Sequence, residues 1–142
     1  MNSRYLPIIM VVLSSLCYHI SQKSIPTGIN PIVSLIVTYF VATVISIIFF
    51  VAFVPETSLI ESVKTTNWAS ILLGFAIVGL EMGYLLSYRV GWNISVASLL
   101  SNTLVALLLI PIGYYFFKDS ISISSISGVV LCIAGLILIS KG

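Results

Sequence analysis

Glu81 is the only acidic residue inside any of the long apolar runs of this chain. It lies in Trp68 to Tyr88, WASILLGFAIVGLEMGYLLSY, a run close to the roughly 20 residues that cross a bilayer as a helix. Tyr84 and Tyr88 follow it at i+3 and i+7, on the same helical face. A carboxylate in hydrocarbon costs about 3 kcal/mol on insertion scales, so Glu81 must face protein or a wet cavity. There its carboxyl can take up and release a proton, or pair with a cation. A carboxyl that does both in competition is the elementary part of an exchanger. The plainer alternative is a protonated Glu81 that hydrogen-bonds a neighbouring helix as packing glue.

Other polar groups fall near enough in pattern to join it. Ser15, Tyr18, His19 and Gln22 occupy i, i+3, i+4 and i+7 of the first apolar run, one helical face. A membrane helix with a single polar stripe turns it toward a partner helix or a water-filled path. His19, Lys23 and Arg89 lie toward one side of the membrane, where they attract anionic groups or snorkel to headgroups. In the fourth run, Ser95, Ser98, Asn102 and Ala106 form a small, polar face. Tyr18, Tyr84 and Asn102 are therefore candidate cavity groups beside Glu81, each with packing as its alternative.

The elements that position these residues follow from composition. The chain is 59% hydrophobic and only 7% charged, against about 25% charged in soluble domains. Ten charged side chains cannot coat a water-soluble domain of 142 residues, so the class is an all-α integral membrane bundle. The net charge of +2 is too small to argue for a nucleic-acid partner. Cys17 and Cys132 lie within apolar runs and read as small fillers, not a disulfide framework. A lipoprotein signal at Cys17 is excluded by Leu16, where a small residue is required, and no signal-cleavage site follows Arg4. There is one histidine, no phosphate loop and no metal-ligand cluster, so no enzyme, metal or cofactor is expected.

Five spans are expected, at about 5–22, 31–54, 68–88, 94–117 and 121–140. They form a single membrane domain over residues 1–142, with no room for a soluble one. Pro31 suits a first helical turn. Ser34, Thr38, Ala42 and Ser46 repeat every four residues, a small stripe read as scaffold. Ser58 with Glu61 fits a capping box for a short interfacial helix. Pro111 should kink the fourth span and free a carbonyl one turn back. Gly79 and Gly83, with Gly128 and Gly135, offer close-approach points for helix packing. Trp68 and Trp92 read as interfacial anchors.

An odd number of spans puts the termini on opposite sides. Arg4, Lys64 and Lys118 then fall on one side and Lys23, Arg89 and Lys141 on the other, three against three. With no excess of basic residues in either set of loops, nothing in the chain fixes its orientation. Dual insertion, with two opposed copies pairing, is one consequence. An unseen partner that sets a single orientation is the other.

Asn30-Pro31, the glycine-rich third span with Tyr84, Ser95-Val-Ala-Ser-Leu-Leu100, the acidic Asp119 at the turn between the fourth and fifth spans, and Gly128-Val-Val-Leu-Cys-Ile-Ala-Gly135 follow one another along the chain. In these features the chain resembles one EamA-type repeat of the drug/metabolite transporter superfamily. Lys118-Asp119 stands where Gly-Glu is usual in that family, and Pro111 stands later than the family's proline. The resemblance implies half of a ten-span, inverted-repeat secondary transporter. It would export or exchange small metabolites or drugs by alternating access, in the plasma or inner membrane. The partner would be a second antiparallel copy or a homologous half. In such a dimer the two Glu81 carboxyls would lie near the midplane. The alternative is an accessory subunit of a heteromeric transporter, inactive alone.

Overall fold

The computed structural model describes residues 5–54, 56, 58–118, 120 and 122–141, with the backbone alone at 125, 140 and 141. Arg4, Asp119, Ile121 and the Lys141 side chain, all part of the sequence reading, lie outside the described residues. The elements are α1 (Leu6–Ser24), α2 (Pro31–Phe53), the short α3 (Leu59–Lys64), α4 (Trp68–Arg89), α5 (Ile94–Ile112) with a π-helical turn (Gly113–Phe117), and α6 (Ile123–Lys141). Four of these helical stretches are long and apolar enough to cross a membrane, and α6 carries a shorter apolar stretch, Ile126–Ile139. The chain is a helical membrane bundle.

Local chemistry sets the helix ends. Asn30 is extended at the N-cap of α2 and its Oδ1 accepts the Ile32 N–H at 2.9 Å, with Pro31 in the first turn. The cap satisfies a donor that the helix leaves orphaned, and proline has no N–H to lose there. Asn67 starts α4 the same way, its Oδ1 accepting the Ala69 N–H at 3.0 Å. Ser58 precedes α3 as expected, but its hydroxyl makes no capping bond. The capping box is thus not closed. The contact at this turn runs the other way, with the Ser62 hydroxyl donating to the Ser58 carbonyl at 3.0 Å. Leu59, Ile60 and Val63 of α3 are all exposed.

Pro111 sits inside α5. It has no N–H to give the carbonyl one turn back, and the helix widens immediately beyond it. At the end of the π turn the Lys118 N–H donates to the Gly113 carbonyl, five residues back. Such turns appear where the i→i−4 ladder is interrupted. The widened turn presents Tyr114, Tyr115, Phe116 and Phe117, all exposed, as an aromatic end of the interfacial kind.

Lys118 closes this turn in the left-handed region, at φ 55°. The conformation costs an L-residue with a Cβ roughly 1–2 kcal/mol, and glycine relieves it. That is why glycine suits the position in the family pattern. Lys118→Gly should raise the melting temperature of the detergent-purified protein by a few degrees, for a gain of about 1 kcal/mol. Lys118→Ala, which removes the same charge but keeps a Cβ, should not. Equal melting of the two variants would refute the strain. Gly91, at φ 99°, already meets the same need in the turn between α4 and α5.

Backbone contacts divide the chain into two units, residues 1–20 with 90–142, and residues 21–89. In the second unit α2 packs on α4, with Leu35, Leu85 and Tyr88 buried. In the first, α5 packs on α6, with Ala97, Thr103 and Leu136 buried. Most large apolar side chains, Phe40, Phe75 and Leu138 among them, remain exposed. A bilayer makes that tolerable, because lipid tails are as apolar as leucine and burying it gains little.

The packing faces differ from those the small residues suggest. On α6 the Val129, Ile133, Gly135 and Leu136 face is the shielded one, while Gly128 and Cys132 are exposed. Within either unit, no atom lies within 4 Å of a Cβ added at Gly79, Gly83, Gly128 or Gly135. These four glycines therefore do not mediate close helix approach inside their own units. Larger side chains on the shielded faces, such as Leu85 and Leu136, set the helix separation first.

Candidate functional site

The second unit builds a site around Glu81. On α4, Glu81, Leu85 and Tyr88 are buried at i, i+4 and i+7, and Glu81 is only 8% exposed. They point the same way because four and seven residues are close to whole turns. Tyr84 and Tyr88 stack, with ring centroids 6.0 Å apart and planes 27° from parallel.

One end of this unit is clamped. Lys23 Nζ donates to the Tyr88 carbonyl at 3.4 Å and lies 5.6 Å from the centre of its ring. Arg89 Nη2 donates to the Pro26 carbonyl at 3.3 Å and to the Ile29 carbonyl. Lys23 thus ties the end of α1, and Arg89 the turn before α2, to the end of α4. The start of α2 and the end of α4 are thus neighbours, and the two helices run antiparallel.

That clamp sets a register. Tyr39 is eight residues into α2 from Pro31, and Glu81 is eight residues back along α4 from Arg89. At 1.5 Å per residue both lie about 12 Å from the tied end. The register therefore places Tyr39 and Glu81 at the same level of the helix pair. A groove of about 770 Å³ runs between α2 and α4, reaching Leu59 of α3. Thr38, Tyr39 and Glu81 line one end of it, and Phe50, Leu59 and Gly74 line the other. Tyr39 Oη and Glu81 Oε2 are both buried in it with no hydrogen-bond partner. A wet cavity or a ligand is what an unsatisfied buried oxygen requires, since leaving it orphaned costs about 1–3 kcal/mol.

The other candidate residues fall elsewhere. Tyr18 and His19 belong to the first unit, half-buried, with rings in an edge-on contact at 5.2 Å. Asn102 is exposed, and its neighbour Thr103 is the buried polar residue of α5. The face read from Ser95, Ser98, Asn102 and Ala106 is therefore not the packed one, which centres on Ala97. Tyr84 stands one turn from Glu81 on α4 and does not line the groove. Tyr39 was absent from the candidates. Its signal was an unaccompanied phenol deep in an uncharged span, away from the interfacial belt where tyrosine is usual. The stripe of Thr38, Ala42 and Ser46, read as scaffold, lines the groove.

A multi-pass bundle with a carboxyl held at depth over an open groove has the form of a membrane transporter. The EamA-like transporter family model matches residues 4–141, and the chain belongs to that family. The family lies within the drug/metabolite transporter superfamily. No curated protein and no solved structure matches the chain.

Proposed function

We propose that the chain is a secondary transporter of small metabolites or drugs, an exporter or exchanger of the plasma membrane. Substrate and proton compete for Glu81, and access alternates between the two sides. An antiparallel second copy completes the pathway. The observation that carries this reading is the Glu81 carboxyl, 8% exposed, with a buried Oε2 that has no partner in the groove. A glutamate kept only for packing would spend that oxygen on a neighbouring helix. The balanced basic residues support two opposed copies, and the uncovered glycines leave room for one.

Reconstitution of the purified chain alone tests this against the accessory-subunit reading. Proteoliposomes with an imposed pH step should move at least one of three impermeant probes: agmatine, methionine or glutamate. Flux that appears only after a second membrane protein is added would overturn the proposal.

A further inference from the structure

We infer that the groove selects amphiphilic cations that carry N–H donors, with the ammonium at Glu81 and an apolar tail toward Phe50 and Gly74. The inference rests on the transport reading above and names the substrate class of that site.

The argument turns on where the hydroxyl protons go. Thr38 Oγ1 donates to the Ser34 carbonyl at 3.1 Å, and Ser46 Oγ donates to the Ala42 carbonyl at 2.8 Å. Both residues line the groove, and each hydroxyl has a single proton, so each can offer a ligand lone pairs only. With the Glu81 carboxylate, acceptors outnumber donors at the polar end of the groove, where only the Tyr39 and Thr43 hydroxyls keep a proton to give. Tyr39 Oη, also unpartnered, can accept as well as donate. An anion entering here would meet a carboxylate and find at most two hydroxyl donors, on Tyr39 and Thr43. A protonated amine would find the charge and up to three acceptors, matching the three donors of an ammonium. A quaternary ammonium keeps the charge but has no proton to give Thr38 or Tyr39.

The antiparallel register gives the groove its polarity. Glu81 is seven residues from Gly74, about 10 Å along α4. Beyond the polar end the lining is Ile47, Phe50, Leu59 and Ile77, which suits hydrocarbon or an aromatic ring and no further charge. A Cβ added at Gly74 meets nothing within 4 Å, so a larger side chain there fills the groove without displacing its walls.

The test is calorimetric binding to the purified full chain in detergent, with empty micelles as blank. The probes are 4-phenylbutylammonium, its trimethylammonium analogue, 4-phenylbutanol and 4-phenylbutyrate. Phenylbutylammonium should bind at least about tenfold tighter than the trimethyl or alcohol probe, and phenylbutyrate should not bind. Glu81→Gln and Gly74→Leu should each weaken phenylbutylammonium at least tenfold, with unchanged melting temperatures. Tyr39→Phe should narrow the gap between the ammonium and its trimethyl analogue. Equal or tighter binding of the trimethyl or carboxylate probe would overturn the inference, as would undiminished binding in Glu81→Gln. Failure of the two readings is distinguishable. Selective binding without flux sinks transport alone, and flux of a probe without ammonium preference sinks this inference alone.

Discussion

Glu81→Gln is expected to reduce pH-driven flux of whichever probe the wild-type protein moves to the level of empty liposomes. Glutamine keeps the length and shape of the side chain and can fill the same buried site, so the fold should survive. It cannot release a proton, and it offers no charge to a cation. Loss of a charge-assisted hydrogen bond of up to about 3 kcal/mol corresponds to roughly 100-fold in binding. Coupling should fail more completely than binding, because coupling requires the same group to exist in two protonation states. The sign follows from competition. For a cationic substrate, acid on one face displaces it from Glu81 there, so wild-type flux runs from the acidic face's opposite side only when protons move the other way. The other groups facing Glu81 cannot replace it. Within its unit α2 has no charged residue and contributes Tyr39, and α3 contributes Leu59 to the groove. Glu81→Asp, charged but one methylene shorter, should keep a pH-dependent flux at reduced rate. A Glu81→Gln protein whose flux still responds to pH would remove Glu81 from the coupling role.

Glu81 was legible because of rarity: one acid among apolar runs is visible without any knowledge of packing. The helices were legible for a similar reason, since runs this apolar and this long leave the backbone no other way to satisfy itself in lipid. Which face of each helix turns inward was harder to read. A helix that is apolar on every side carries little rotational information, and on α5 the polar residues pointed to Asn102 when the packed face centres on Ala97 and Thr103. Small residues misled in the same way on α6. Tyr39 could not be paired with Glu81 from sequence, because their meeting depends on Arg89 reaching the carbonyls of Pro26 and Ile29. That contact spans about sixty residues, and no local pattern encodes it. Arg89 itself was read as attracting anionic groups or as snorkelling to headgroups, and neither reading ties it to the turn before α2.

Forcing one orientation should silence the protein, and mixing two forced orientations should restore it. Lys64→Gln with Lys118→Asn removes two of the three basic residues on the N-terminal side, leaving one against three. Asparagine is chosen because it tolerates the left-handed backbone at Lys118. Glu56→Lys with Thr66→Lys acts in the opposite sense, giving five against three, at two exposed positions. The basic-residue rule then drives the two variants into the membrane in opposite orientations. If the working unit is an inverted pair, neither variant alone can form it. Each should lose nearly all flux while still inserting, and balanced co-expression should return activity close to that of the wild type, since an equal mixture of the two orientations forms opposed pairs as often as a dually inserted chain does. Cysteine labelling at both termini from each side checks the orientations independently. In the wild type both termini should be reachable from both sides. A variant that labels in one orientation only and transports at the wild-type rate would show that parallel copies, or a single copy, suffice. In that case the balance of charges would reflect weak selection on the loops, and the route past Glu81 would have to be completed by other means.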